Sequence, residues 1–260
     1  MSTPQTVSVS IGHDHVATIE VQRPPNNFFT VEMIAELADA LESLDGDSAC
    51  RAAVLCSEGR HFSAGADFSA GTGDSTEELY AAAVRVFRTE TPVVAAVQGA
   101  AVGGGLGLAL SADFRIAAPE ARFSANFARL GFHQGFGLSV TLPRLVGAQT
   151  AAGLLYTGRR VKGEEAVALG LADRLAPLDD LRDRAHDLAA EIALSAPLAI
   201  RSIRRTLRGD LADQVEAATA HEFTEQQRLR ATADFAEGIA AMAERRDPRF
   251  TGDTDPDTSR

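Results

Sequence analysis

Cysteine is scarce in this sequence of 260 residues, and acidic side chains outnumber basic ones. Its two cysteines, Cys50 and Cys56, flank one predicted strand at a spacing that fits neither a zinc site nor a redox pair, so we predict no metal site. The formal net charge of −11 disfavours nucleic acid or an anionic membrane as a partner. Any charge on a substrate must therefore be met by local groups.

Targeting and nucleotide-binding signals are missing too. The first ten residues, MSTPQTVSVS, have no basic start followed by an apolar core, so we predict no secretory signal and a cytoplasmic protein. The glycine-rich stretch Pro92–Asp113 lacks the Lys-Ser/Thr ending of a phosphate loop and the glycine spacing of a dinucleotide fingerprint. It is long enough to span a membrane, but its glycines and Gln98 are a poor composition for insertion.

The stretch Pro92–Asp113, PVVAAVQGAAVGGGLGLALSAD, is instead typical of strand, glycine turn and helix. The run Pro92–Val97 resembles a strand buried on both faces, and Gly99 ends it. Helix-forming residues follow the glycine triplet 103–105. Free N–H groups at that helix start would suit a ligand oxygen that carries negative charge. A glycine-lined packing contact without a ligand is the alternative.

The remaining pattern divides the chain into two regions. The first two-thirds alternate strand, loop and helix, which predicts an α/β fold with largely parallel sheets. From Asp179 onward the pattern is helical. Amphipathic helices must bury their apolar faces, so we interpret this region as a lid or an oligomerisation element. The predicted parts are an α/β core at 1–195, a helical region at 196–250 and a disordered tail at 251–260.

Local patterns predict individual elements. The runs Thr6–Ser10 and Val16–Val21 predict an antiparallel hairpin, and Thr30 is predicted to cap the helix that follows. The run Arg51–Ser57 predicts a buried strand. The segment Arg122–Gly147 has no clear periodicity in its first half, so we predict a pocket-lining loop that leads into a helix.

A second glycine-rich stretch, Phe62–Asp67, also follows a predicted strand. Two such turns could aim two backbone N–H donors at one oxygen, which is the oxyanion-hole arrangement used for acyl groups. The spacing alone leaves open whether the two turns meet.

The two glycine-rich blocks resemble the signature segments of the crotonase, or enoyl-CoA hydratase/isomerase, superfamily. They read GRHFSAGAD at 59–67 and AAVQGAAVGGGLGLALSADFRIA at 95–117. The early segment with Arg23, Pro24 and Asn27, the middle segment LVGAQTAAGLLYTGRRVKGEEAVALGLADRL and the late segment ATADFAEGIAAMAERRDPRF resemble the same superfamily. The likeness extends over most of the chain.

The resemblance implies a crotonase-like α/β spiral of ββα units with a C-terminal helical region that builds a homotrimer or a dimer of trimers. It also implies that an acyl-CoA thioester binds between the two blocks, with CoA as part of the substrate and no separate cofactor. By position, the N–H groups of Ala66 and Gly104 would be the oxyanion-hole donors that hold the thioester oxygen as it gains enolate character. The implied substrate-binding residues are Ala64, Gly65, Asp67, Gly103, Phe127, Phe132 and Phe136.

The sequence departs from the superfamily at both positions where its hydratases carry a glutamate. Those glutamates activate water and handle the α-proton, and the corresponding residues here are Gly107 and Phe127. Neither can move a proton, which argues against standard hydration of an enoyl-CoA. The alternatives are an isomerase, hydrolase, decarboxylase or weak hydratase with a substitute base, and a non-catalytic acyl-CoA-binding protein.

We rank His133 first as the substitute catalytic base. By the resemblance it lies in the loop that skirts the acyl chain, and its neighbours Phe132 and Phe136 would disfavour the imidazolium form. The alternative is a ring that hydrogen-bonds loop backbone. We interpret Asp67 as a residue that turns its loop and His61 as a packing residue.

A basic helix face is the remaining candidate for CoA phosphates. Its arginines recur at helical spacing, and the alternative is a solvated face balanced by acids. The residues are Arg201, Arg204, Arg205 and Arg208.

Overall fold

The structure is a computed structural model that describes residues 5–67 and 76–253. The described strands are β1 Val7–Ile11, β2 Val16–Val21, β3 Ala52–Ser57, β4 Val93–Val97, β5 Ala100–Val102, β6 Phe114–Ala117, β7 Arg122–Ser124, β8 Val161–Lys162 and β9 Arg174–Leu175. The described helices are α1 Val31–Gly46, α2 Thr76–Arg88, α3 Gly104–Ser111, α4 Leu138–Val146, α5 Ala148–Thr157, α6 Gly163–Ala168, α7 Leu181–Ala193, α8 Pro197–Arg208, α9 Leu211–Arg230 and α10 Ala233–Glu244.

Two sheets organise the described part of the chain. The larger has six strands in the order β1-β2-β3-β4-β6-β9, and the smaller has three in the order β5-β7-β8. In the larger sheet β1 and β2 pair antiparallel, as the hairpin prediction required, and every other neighbouring pair is parallel. The prediction of an α/β fold with largely parallel strands is therefore confirmed.

The large sheet is covered on both faces, which explains its uninterrupted apolar strand sequences. Alternate residues of β3 belong to different hydrophobic clusters. Ala53 and Leu55 pack in the cluster that includes α1, α2 and α3. Val54 and Cys56 pack in the cluster that α7 covers. Because side chains alternate along a strand, each central strand contributes to both clusters.

Local predictions hold with two corrections. The Thr30 side chain accepts a hydrogen bond from the Met33 amide and caps α1, as predicted. The apolar residues between Gly99 and the glycine triplet, where no element was predicted, form strand β5. The segment Arg122–Gly147 is more regular than predicted, since it contains β7 and a turn of 3-10 helix at Asn126–Leu130 before α4. Of the tail predicted to be disordered, residues 254–260 lie outside the described residues.

Two of the C-terminal helices, α9 and α10, pack against the core. Helix α9 contacts α2 and α4, and α10 contacts the 3-10 turn. Helix α8 instead leaves apolar side chains on the surface, with Leu198 79% and Leu207 71% exposed. Among the described helices, none combines the length and the apolar composition needed to cross a bilayer. The oligomeric state stays a prediction.

Two arginines of the basic face of α8, Arg204 and Arg208, are turned toward the protein, contrary to expectation. The Nε atoms of Arg204 and Arg208 each lie 2.9 Å from the carboxylate of Asp113, and all three side chains are largely buried. Arg205 pairs with Glu90. Both expectations for this face are therefore wrong for Arg204 and Arg208, because their charges hold α8 against the end of the sheet instead of meeting CoA phosphates or water.

Candidate active site

The two glycine-rich turns meet. Ser63 forms an isolated parallel bridge to Ala101 of β5, with the Val102 amide donating to the Ser63 carbonyl oxygen over 3.0 Å. Gly65 has φ +84°, and a Cβ atom there would lie 2.7 Å from the Val102 carbonyl oxygen. A Cβ atom at Gly105 would lie 2.3 Å from the Ser63 carbonyl oxygen. Both glycines are needed because backbone packs directly on backbone at these positions.

This contact brings the loop that contains Ala66 next to the start of α3. A Cβ atom at Gly65 would lie 3.8 Å from the Gly104 nitrogen, so the first loop adjoins the first residue of α3. The Gly103 amide is occupied by the Ser124 carbonyl oxygen at 2.8 Å. The amides of Gly104 and Ala66 have no hydrogen-bond acceptor among residues 5–67 and 76–253. Both residues line one cavity.

The cavity measures about 630 Å³ and has an apolar wall. Its rings come from Phe29, Phe127, Phe132 and Phe136, with tilted contacts such as 5.5 Å between the centroids of Phe127 and Phe132. Every residue that the sequence placed in the oxyanion hole or against the substrate lines it, although their roles stay predictions. Those residues are Ala64, Gly65, Ala66, Asp67, Gly103, Gly104, Phe127, Phe132 and Phe136.

Comparison with known proteins decides the family. The profile of the family described as enoyl-CoA hydratase/isomerase matches residues 12–253. The chain belongs to the enoyl-CoA hydratase/isomerase family.

Individual relatives agree over nearly the whole chain. A probable enoyl-CoA hydratase of Mycobacterium tuberculosis is 38% identical over 271 residues, which cover 97% of this chain and 95% of that protein. A probable enoyl-CoA hydratase of Bacillus subtilis is 32% identical over 256 residues, with 95% and 99% covered. The crystal structure of an enoyl-CoA hydratase/isomerase from Pseudoalteromonas atlantica has a TM-score of 0.87 and 32% identity, with 95% of this chain and 100% of that one covered. The fold is therefore that of the crotonase superfamily.

Aromatic side chains occupy the space at the two positions assigned to the enoyl-CoA hydratase glutamates. A Cβ atom at Gly107 would lie 2.7 Å from the Cβ and Cδ1 atoms of Phe136. Phe127 is itself one of the rings in the cavity wall. Asp67 is the one acidic residue among the described residues that line the cavity.

The His133 side chain is engaged outside the described cavity lining. It is absent from the described lining, and its Nδ1 atom is 2.9 Å from the Gln134 carbonyl oxygen. Its ring makes an edge contact with His221 of α9 at a centroid distance of 5.8 Å. The geometry matches the alternative in which this ring bonds loop backbone. The prediction that His133 carries the proton receives no support from its position.

His61 also has a packing environment. Its Nδ1 atom accepts a hydrogen bond from the Ala100 amide over 3.1 Å, at the start of β5. Burial lowers the pKa of this imidazole, and the charges of Arg60 and Arg122 lower it further, so the neutral ring needed to accept that bond is favoured. His61 therefore helps to hold the two glycine turns together.

Sequence reasoning missed a polar group in the cavity wall. Tyr80 of α2 donates to the Oε1 atom of Gln226 of α9 over 3.0 Å, and the Gln226 Nε2 atom donates to the His133 carbonyl oxygen over 2.8 Å. Burial raises the pKa of the Tyr80 phenol well above its usual value, and the charge of Glu222 adds to this effect. Arg230, one turn further along α9, also lines the cavity. The helical spacing of Glu222, Gln226 and Arg230 is a signal that the sequence contained.

Proposed function

We propose that this protein binds an acyl-CoA thioester in the cavity and holds the thioester oxygen with the amides of Ala66 and Gly104. The observation that supports the proposal is the meeting of the two glycine turns, where both amides have no acceptor in the described part of the chain and both residues line one cavity. Membership of the family supports an acyl-CoA as the ligand. CoA would be part of the substrate, and no separate cofactor is proposed.

The physical basis is charge stabilisation. When a proton leaves the carbon next to the thioester, its electron pair moves onto the carbonyl oxygen and an enolate forms. Two N–H dipoles already aimed at that oxygen need no reorganisation, and the positive end of the α3 dipole lies behind one of them. Loss of one such donor typically costs about 2.7 to 4 kcal/mol of transition-state stabilisation.

The proton chemistry separates two candidate functions. With Gly107 and Phe127 at the two glutamate positions, an enzyme of this chain would be an isomerase, hydrolase, decarboxylase or weak hydratase with a substitute base. The cavity carboxylate of Asp67 is placed beside one proposed donor and is the group to test for that role. The second candidate, a non-catalytic acyl-CoA-binding protein, is favoured by the packing of Phe136 against Gly107, which leaves no space there for an acid.

The experiment follows exchange of α-protons of a saturated acyl-CoA in deuterated water, together with its affinity by calorimetry. The matched control ligand is the alkyl thioether of CoA, which keeps the chain and the nucleotide but has no carbonyl oxygen. Exchange from the thioester and weaker binding of the thioether support an enzyme with an oxyanion hole. Tight thioester binding without exchange supports the binding protein. Equal affinity for the two ligands would contradict a role for the two amides.

We also propose a homotrimer or a dimer of trimers. The apolar residues on the surface of α8 support an interface, because a monomer would leave them in water.

A further inference from the structure

Arg230 is half-buried, and its guanidinium has no counter-charge among the described residues. Arg115 pairs with Asp173 at 2.9 Å, and Arg204 and Arg208 share Asp113. Arg230 has no hydrogen bond or ion pair to any described residue, and its Nε atom is shielded from solvent without an acceptor. A buried polar atom without a hydrogen-bond partner is costly, and a ligand that supplied an acceptor to this Nε atom would remove that cost.

Its neighbours on α9 cannot supply the missing acceptor. The Glu222 carboxylate already accepts from the Gly137 amide at 2.9 Å and the Ser139 amide at 3.0 Å, at the start of α4. Gln226 is engaged at both ends, by Tyr80 and by the His133 carbonyl. Of the three α9 side chains Glu222, Gln226 and Arg230, only Arg230 is therefore left without a hydrogen-bond partner among the described residues.

Arg230 belongs to the same cavity as the proposed oxyanion donors. The cavity wall near this helix includes Tyr80 and Gln226, and the apolar side chains of Leu79, Ile239 and Met242 complete it. Burial lowers the pKa of Arg230, since a charged guanidinium is disfavoured there, but arginine remains protonated at neutral pH. An acyl chain held at the amides would thus extend into a cavity that contains a fixed positive charge.

We propose that the acyl group of the preferred substrate ends in a carboxylate that Arg230 binds, so that the ligand is the CoA thioester of a dicarboxylic acid. The planar guanidinium fork matches a carboxylate with two parallel N–H···O bonds, and the low-dielectric wall strengthens the pairing. A methyl-ended chain would leave the buried Nε atom without an acceptor. This inference deepens the proposed function and rests on it.

The same guanidinium could in principle bind a phosphate of CoA, and the test separates these two anions. Affinities are measured by calorimetry for CoA alone and for pairs of acyl-CoA thioesters of equal chain length, one ending in a methyl group and one in a carboxylate, over a series of lengths. For at least one length the wild type should bind the carboxylate-ended thioester about tenfold more tightly, equivalent to about 1.4 kcal/mol.

Variants assign that preference to Arg230. Arg230→Met keeps most of the side-chain volume and should abolish the preference, so that the two thioesters of each pair bind with equal affinity. Arg230→Lys keeps a charge without the fork and should retain part of the preference. The matched control is Arg228→Met on the same helix, where the arginine is exposed and paired with Glu225, and it should retain the full preference.

Several outcomes would overturn the inference. Equal affinity for both members of every pair in the wild type would do so, and this comparison needs no variant to fold. Weaker binding of CoA alone by Arg230→Met, by the same factor as the carboxylate-ended thioester, would assign Arg230 to a phosphate instead. Failure of the wild type to bind any thioester or CoA would overturn the proposed function and this inference together, which distinguishes it from equal binding.

Discussion

Gly107 of α3 offers a direct test of why a side chain is missing at this position. A Cβ atom there would lie 2.7 Å from the Cβ and Cδ1 atoms of Phe136 and 2.9 Å from its Cγ atom. Carbon atoms in favourable contact are about 3.5 to 4.0 Å apart, so even alanine requires a shift of roughly 1 Å. Phe136 has little room to move, because it is 1% exposed and its ring contacts Phe29 at a centroid distance of 5.4 Å.

The expected free-energy change combines two opposing effects. Overpacking a filled core typically costs about 1 to 3 kcal/mol, whereas alanine in place of glycine inside a helix gains about 1 kcal/mol. We therefore expect Gly107→Ala to be neutral to destabilising, by up to about 2 kcal/mol. Phe136→Gly, which removes both the ring and the Cβ atom, should cost about 3 to 5 kcal/mol, but in that background Gly107→Ala should stabilise by about 1 kcal/mol. The coupling energy of the pair is then about 1 to 3 kcal/mol.

Urea unfolding followed by circular dichroism measures the four free energies of this cycle. The control is Gly153→Ala in α5, because a Cβ atom at that helical glycine meets nothing within 4 Å. It should stabilise the protein by about 1 kcal/mol. If Gly107→Ala stabilises as much as the control, or if the changes at 107 and 136 are additive, the packing argument is wrong. If the cycle behaves as expected, a glutamate at 107 cannot be restored without first removing the Phe136 ring.

Four further predictions address other parts of the molecule. Asp113→Asn should lower the free energy of unfolding by about 3 to 5 kcal/mol in urea titrations, because it leaves two buried guanidinium groups without a counter-charge. His133→Ala should leave any α-proton exchange unchanged, since its ring lies outside the described cavity lining. Leu198→Asp should reduce the mass measured by light scattering from a trimer or hexamer toward a monomer, because the exposed face of α8 would no longer be apolar. Hydrogen bonds from Arg246 lower the pKa of Glu237 to about 2 from its ordinary value of 4.5. This contact therefore stabilises the folded protein above pH 4.5, and the stabilisation is lost as the pH falls toward 2. Glu237→Gln should therefore lower the melting temperature at neutral pH and have no effect near the acid limit.

Each of these has a contrary result. An Asp113→Asn protein as stable as wild type would mean that water reaches the arginines of α8. Loss of exchange in His133→Ala would return the proton-carrier role to that ring. A monomeric wild type would contradict the proposed interface at α8. An equal effect of Glu237→Gln on the melting temperature at all pH values would show that the charge of Glu237 is not involved.

The sequence alone determined the elements whose causes are local. The alternating run of β2, the Thr30 cap and the glycine-interrupted stretch from Pro92 each appear where their patterns predict them. Such features depend on neighbours within a few residues, so periodicity and side-chain chemistry are sufficient. The likeness of the two glycine blocks to a superfamily then indicated the fold and the residues of the cavity.

Tertiary structure decided what depends on contacts between distant parts of the chain. Whether the turns meet depends on the packing of Gly65 and Gly105 against backbone from the opposite block, which spacing does not report. The direction of the α8 arginines depends on Asp113, and the orientation of His133 depends on α9. Tyr80 and Gln226 are 146 residues apart in sequence, yet they share a hydrogen bond beside an arginine without a counter-charge. A helical pattern identifies which residues of α9 share a face, but only the packing of that face against α2 and α4 shows that it borders the cavity.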